Sequence, residues 1–112
     1  MRRPKKPKYK NIKVEIDGVK FDSKKEAKRY QDLKLLERSG GIKNLELQPE
    51  FVIADAVVLD GRKRPARKYK ADFSYMRDGK LVVEDVKGIK TPMYRLKRHL
   101  VKLIHGIEVT EI

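Results

Sequence analysis

The sequence contains no cysteine. A disulfide framework, a zinc–thiolate centre and a cysteine nucleophile are therefore excluded. No apolar run comes near the roughly 18 residues that a bilayer-crossing helix needs, so no membrane partner is expected. The opening residues MRRPKKPKYK are charged but lack the apolar segment of a secretory signal, and the expected setting is a soluble protein of the cytoplasm. Side-chain amides are scarce, limited to Asn11, Gln31, Asn44 and Gln48. With 40% charged residues, this usage resembles that of heat-adapted proteins.

Positive charge is abundant. The 112 residues carry 29 Lys and Arg against 16 Asp and Glu, a net charge of +13. A chain of this length forms one domain with a self-sufficient core. The excess is local. Residues 1–10 hold six basic side chains and no acid: Arg2, Arg3, Lys5, Lys6, Lys8 and Lys10. Residues 61–70 repeat that pattern with Arg62, Lys63, Arg64, Arg67, Lys68 and Lys70. The rest of the chain is almost neutral. Two dense patches suit a polyanion, and nucleic acid is the first candidate. A solubilising tail with a solvated loop would give the same composition.

The pattern along the chain predicts a flexible basic arm over 1–10, where Pro4 and Pro7 block regular structure, and a single domain over 11–112. Ile12, Val14 and Ile16 alternate up to Asp17-Gly18, and Val19 and Phe21 alternate after it, as in a β-hairpin. Ser23 with Glu26 three residues on forms a capping box, opening a helix to about Arg38 whose apolar stripe is Ala27, Tyr30, Leu33 and Leu36. Gly40-Gly41 ends it. A strand region is expected from Leu45 to Leu59, interrupted near Pro49. Asp60-Gly61 then turns the chain into a basic loop over 61–70. Strands follow over Tyr69–Met76 and Leu81–Lys87, joined by Asp78-Gly79. A last helix begins at Pro92, with Met93, Leu96, Leu100, Leu103 and Ile104 on its buried side. Gly106 stops it before a short strand holding Ile107, Val109 and Ile112.

The strands around Asp78-Gly79 carry the chemistry. Side chains alternate along a strand, so Asp85 and Lys87 share one face and Glu84 takes the other. Pairing outward from the turn sets Asp72 opposite Asp85. Like charges in that position destabilise a sheet unless a cation compensates. Nearby Lys or Arg side chains are one solution. A divalent metal held by carboxylate oxygens, Mg²⁺ or Mn²⁺, is the other. A metal there would polarise a phosphate oxygen and activate water, with Lys87 orienting that water or holding developing charge. Hydrolysis of a phosphodiester is the matching reaction.

Ala71-Asp72-Phe73, followed by Asp85-Val86-Lys87-Gly88, resembles the signature of the PD-(D/E)xK nuclease superfamily. The resemblance implies an α/β, restriction-endonuclease-like core of helix, three antiparallel strands, helix and strand, from about Ser23 to Ile112. It also implies an acidic residue on the first helix, a place that Glu26 occupies. Glu26 is equally suited to serve as a helix cap. The small size, leading hairpin and basic arm resemble phage-encoded and archaeal-type Holliday junction resolvases, as do the Leu47-Gln48-Pro49 stretch and the segment from Val86 to Tyr94. That group implies a homodimer cutting four-way DNA junctions with Mg²⁺ or Mn²⁺, in a phage-infected or prokaryotic cell. The catalytic set would be Glu26, Asp72, Asp85 and Lys87, with Glu26, Asp72 and Asp85 on the metal. Ala71 replaces the proline that usually precedes the motif aspartate. Glu84, beside Asp85, is the rival ligand, and alternation favours Asp85.

DNA contacts are expected from Arg2, Arg3, Lys5, Lys6 and Lys8 of the arm, and from Arg62, Lys63, Arg64, Arg67 and Lys68. Lys90, Tyr94 and Lys97 add to them where the last helix begins, because a helix N-terminus favours phosphate. Gln48 could orient a phosphate or water, or be an ordinary strand residue. His99 and His105 read as surface or phosphate-contacting residues. Two other classes remain open: another nuclease of the same superfamily (recombination, packaging or restriction type), and a non-catalytic basic nucleic-acid-binding module.

Overall fold

Three Asp-Gly pairs set the hairpins of this chain, whose computed structural model describes residues 13–86 and 89–112. Asp17-Gly18, Asp60-Gly61 and Asp78-Gly79 all adopt positive φ at both residues, from 51° to 77°, which matches the right-handed twist of the strands they join. The first turn pairs β1 (Val14–Ile16) with β2 (Val19–Phe21). Helix α1 (Lys24–Arg38) follows at once, its first turn capped by Ser23, whose Oγ accepts from the Glu26 amide at 3.1 Å. Ala27, Tyr30 and Leu33 are its buried stripe, as the spacing predicts.

The central sheet holds four strands in the order β10-β9-β8-β3. Strand β8 (Phe73–Arg77) runs antiparallel to both its neighbours, β3 (Lys43–Leu47) and β9 (Lys80–Asp85), and β10 (Thr110–Glu111) lies parallel to β9. Each face of this sheet carries its own apolar core. On one face, Phe73 and Tyr75 pack with Phe21, Ala27, Tyr30 and Leu33 of β2 and α1. On the other, Val83 packs with Tyr69, Val109, and Tyr94 and Val101 of α2 (Pro92–His105). The architecture is mixed α/β, with two helices and small sheets. Among the described residues, no helix is long and apolar enough to cross a membrane.

Four expectations need correction. The strand expected over Tyr69–Met76 is broken at Ala71-Asp72 into β7 (Arg67–Lys70) and β8. Its partner breaks at the same level, β3 giving way to β4 (Glu50–Ala54) around Gln48, which takes φ 53°. Pairing bridges both breaks, since the Gln48 amide donates to the Asp72 carbonyl at 2.9 Å and the Ala71 amide to the Pro49 carbonyl at 3.0 Å. One long antiparallel pair is thus bent in the middle.

The second basic segment is not a loop. Asp60-Gly61 closes a hairpin of β5 (Val57–Leu59) with β6 (Arg62–Arg64), and β7 carries the remaining charges. Helix α2 turns a different face inward from the one its apolar residues suggest. Tyr94 and Val101 are buried and Leu100 packs partly buried beside them, as expected of it, whereas Met93, Leu96, Leu103 and Ile104 are all more than half exposed. The inward face carries Tyr94 and Arg98, whose polar ends find Glu111 and the Val109 carbonyl on and beside β10. Finally, the last strand is limited to Thr110-Glu111, although Val109 beside it is fully buried.

Candidate active site

The register of the β8–β9 hairpin decides where the acidic residues lie. Phe73 pairs with Glu84 and Arg77 with Lys80, the register that the Asp78-Gly79 turn predicts, and Asp72 and Asp85 are the residues just beyond the last pair. The Asp72 amide donates to the Glu84 carbonyl at 3.1 Å, one residue out of that register, so the ladder slips at Asp72, just before β8. The Val86 amide donates to Asp72 Oδ2 at 2.7 Å. Alternation separates the neighbouring acids of β9. Glu84 turns toward α1, where Arg29 Nε donates to Oε1 at 2.7 Å and Nη2 to Oε2 at 2.6 Å, with the Tyr75 hydroxyl as a third donor. Its carboxylate is fully occupied within the protein. Asp85 points to the α2 side, is completely buried, and accepts from the Tyr69 hydroxyl.

The Asp72 and Asp85 carboxyl groups lie close enough to interact directly. Two carboxylates in such contact cannot both ionise without cost. Burial pushes the Asp72 carboxyl up to about 8; its contact with Asp85 and the charges of Asp85 and Glu26 add to this, and the Val86 amide opposes it. Glu26, nearly buried in the first turn of α1, therefore lies close enough for its charge to act on Asp72. The structure thus brings Glu26, Asp72 and Asp85 into one neighbourhood at the end of β9.

Asp72 and Asp85 offer carboxylate oxygens close enough together to suit a hard divalent cation. Among the described residues, no group of three or more His, Cys, Asp or Glu side chains is placed to hold a metal. The fit to a metal therefore rests on the carboxylate pair and on the oxygen chemistry of its donors. Lys87 lies outside the described residues, as do Arg2, Arg3, Lys5, Lys6 and Lys8.

Sequence reasoning missed Tyr69. Burial, together with its bond to Asp85 and the negative charge there, pushes its phenol far above the ordinary range, so it stays a donor to Asp85. Treating 69–76 as one strand hid this role; the bend at Ala71-Asp72 is what accompanies the turn of Tyr69 toward Asp85. Tyr94, expected as an exposed DNA contact, is buried. Its ring lies 6.4 Å from that of Tyr69, and its hydroxyl donates to Glu111 Oε2 at 3.0 Å. Although desolvation works against it, the Tyr94 hydroxyl, Arg98 and Lys90 together hold the Glu111 carboxyl below the usual range.

Beside this network runs an open groove of about 680 Å³, lined by Lys90, Arg95, Arg98, His99 and Lys102 among others. Lys90 reaches Glu111 Oε1 at 3.4 Å from an exposed position. Lys97 is half-buried on the other side of α2, in a cleft shared with Arg67 and Lys68. Arg62, Lys63 and Arg64 are exposed on β6. His105 packs against Phe51, with Nε2 2.7 Å from the Val52 carbonyl oxygen, which gives it a structural role. Gln48 acts through its backbone, at the bend that carries Asp72.

The fold and site define a small mixed α/β domain with a paired-carboxylate cluster at one sheet end and a cationic groove beside it. The chain belongs to the DUF1064 family, described as proteins of unknown function, whose model matches residues 6–108. No curated protein and no solved structure matches the chain.

Proposed function

We propose that this protein is a Mg²⁺- or Mn²⁺-dependent DNA endonuclease with the restriction-endonuclease-like core of the PD-(D/E)xK superfamily. Its proposed substrate is a four-way DNA junction, resolved during recombination in the cytoplasm of a prokaryotic or phage-infected cell. The observation that carries the reading is the closeness of the Asp72 and Asp85 carboxyls at the end of an antiparallel hairpin, with Glu26 near enough for its charge to act on Asp72. The element order from α1 through β3, β8 and β9 to α2 and β10 supports the same reading.

A bound divalent metal would supply Lewis-acid activation of the phosphate and a water of lowered pKa. The protein's own contributions are separate. Asp72 and Asp85 supply oxygen donors, and the Tyr69 hydroxyl fixes the orientation of Asp85. Glu26 adds negative charge from α1 and could reach the metal through water. Lys87, two residues beyond Asp85 in the motif, is assigned to orient the attacking water or stabilise charge on the phosphate. Lys90, Arg95 and Lys102 line the groove and would take the phosphate backbone. Contacts of that kind read shape and charge, not sequence. A four-way junction needs two symmetric cuts and each chain offers one site, so the working form is a homodimer.

The test is cleavage by single-site variants. Asp85→Asn and Lys87→Ala should each abolish Mg²⁺-dependent cleavage of a labelled junction while junction binding by gel shift persists. Cutting at the parent rate by both variants would remove the assigned site. A matched linear duplex cut as readily as the junction would favour another nuclease of the same fold. A parent protein that binds DNA but never cuts it with Mg²⁺ or Mn²⁺ would be a non-catalytic binding module.

A further inference from the structure

The β5–β6 hairpin has an unusual situation. Among the described residues, no other helix or strand lies against it. Every residue from Ala54 to Pro65 is exposed. The ribbon prolongs the β4–β7 pair in one register, from Ala54↔Arg67 to Val57↔Arg64, and two strands that stand out from a domain with an apolar strand uncovered call for a partner. Its two strands differ sharply. Cross-strand pairs join Val57 to Arg64, Val58 to Lys63 and Leu59 to Arg62, so one strand is wholly apolar and the other wholly basic. Lys and Arg on an edge strand discourage strand addition, and β6 is protected in that way. The β5 edge has no such protection: Val57, Val58 and Leu59 are 52%, 69% and 55% exposed.

We infer that β5 is a self-association edge, pairing antiparallel with β5 of a second copy of this chain across a two-fold axis centred on Val58. The product is a four-stranded sheet in the order β6-β5-β5-β6. Val58 meets Val58 of the second copy, and Val57 meets its Leu59. Charge favours this occupant over other arrangements of two copies. The apolar strands meet in the middle, and the cationic strands lie at the outer edges, about 14 Å apart at three strand spacings. An isologous contact of this kind closes as a dimer.

The apolar surface also continues beyond the ribbon. Ala54 and Ala66 at its root line a cleft of about 600 Å³ together with Met93, Leu96 and Leu100 of α2. Met93 and Leu96 there are 59% and 53% exposed, so the apolar surface open to a second copy extends past β5. The basic strands remain open to a polyanion on the outer edges. The inference names a surface for the proposed dimer but rests only on the ribbon, and it stands whether or not the protein cuts DNA.

The absence of cysteine makes the test direct. In the full-length protein, V58C should form an intermolecular disulfide under mild oxidation, because the two Cα atoms would lie about 4.5–5.5 Å apart. K63C, on the basic strand, should not, because its two copies would lie beyond the roughly 7 Å limit for bridging. V58K should convert a dimer to a monomer in sedimentation equilibrium, with at least a tenfold rise in the dissociation constant and an unchanged circular-dichroism spectrum. A parent protein that is monomeric at high micromolar concentration overturns the inference, as does a V58K protein that remains dimeric. Equal crosslinking of K63C and V58C overturns the proposed register.

Discussion

Asp72 is the residue on which the chemistry turns, because its carboxyl is raised to about 8 by burial and by its acidic neighbours. A carboxyl raised in the folded state binds its proton more tightly there than in the unfolded chain. Its contribution to stability is therefore complete below its ordinary pKa of 3.8 and is lost as the pH rises through about 8. The metal-free protein should show a falling melting temperature across that window. Asp72→Asn should flatten the fall, since the asparagine oxygen can still accept from the Val86 amide. Millimolar Mn²⁺ at pH 8 should raise the melting temperature of the parent and leave that of Asp72→Asn nearly unchanged. Thermal melts at pH 5 and 8 with and without metal read all three effects. The closeness of Asp72 and Asp85 was legible in the sequence because an Asp-Gly turn fixes the register up to Phe73 and Glu84, the residues next to them. Tyr69 was not legible, since its orientation depends on a bend built from two chain segments, Gln48-Pro49 and Ala71-Asp72, that are far apart in sequence.

At the level of elements, β9 divides its acids between two tasks. Glu84, 1% exposed, is held by the two-pronged contact with Arg29 and by Tyr75, which ties α1 to the sheet. This pair raises the Arg29 guanidinium above its normal range, and burial with the Glu84 bond pushes the Tyr75 phenol up to about 12. Replacing Arg29 with Met would leave a buried carboxylate without its cation. That should cost about 3–5 kcal/mol in urea unfolding. Helix α2 shows where periodicity alone misleads. Its more apolar stripe faces outward, because Tyr94 and Arg98 must turn inward to meet Glu111 and the Val109 carbonyl. Thr91, whose Oγ1 accepts from the Tyr94 amide at 3.1 Å, caps this helix, and Thr91→Ala should cost about 1 kcal/mol by the same unfolding measurement. The hairpin turns, both helix starts and the α1 stripe could be read from sequence, since each is local. The β5–β6 ribbon could not, because a basic run predicts charge and exposure but not that an apolar strand pairs with it.

Across the whole molecule, the charge and the chemistry occupy different places. The carboxylates gather at the end of β9, whereas the β6 cations stand exposed on a ribbon that no other described helix or strand packs against. Neutralising Arg62, Lys63 and Arg64 together should weaken junction binding and reduce its salt dependence, by about 0.9 in the log–log slope for each DNA phosphate that is no longer neutralised. A fluorescence-anisotropy titration at several salt concentrations measures that slope. Cleavage at saturating protein should survive the change, because those cations bind and do not react. The central claim is that Asp72 and Asp85 form a metal-dependent nuclease centre. Its most direct test is the incubation of parent and Asp85→Asn protein with a labelled four-way junction, with and without Mg²⁺. The account predicts symmetric cleavage by the parent only when Mg²⁺ is present, and none by the variant. Cleavage by both proteins alike, or by neither with Mg²⁺ or Mn²⁺, would contradict it.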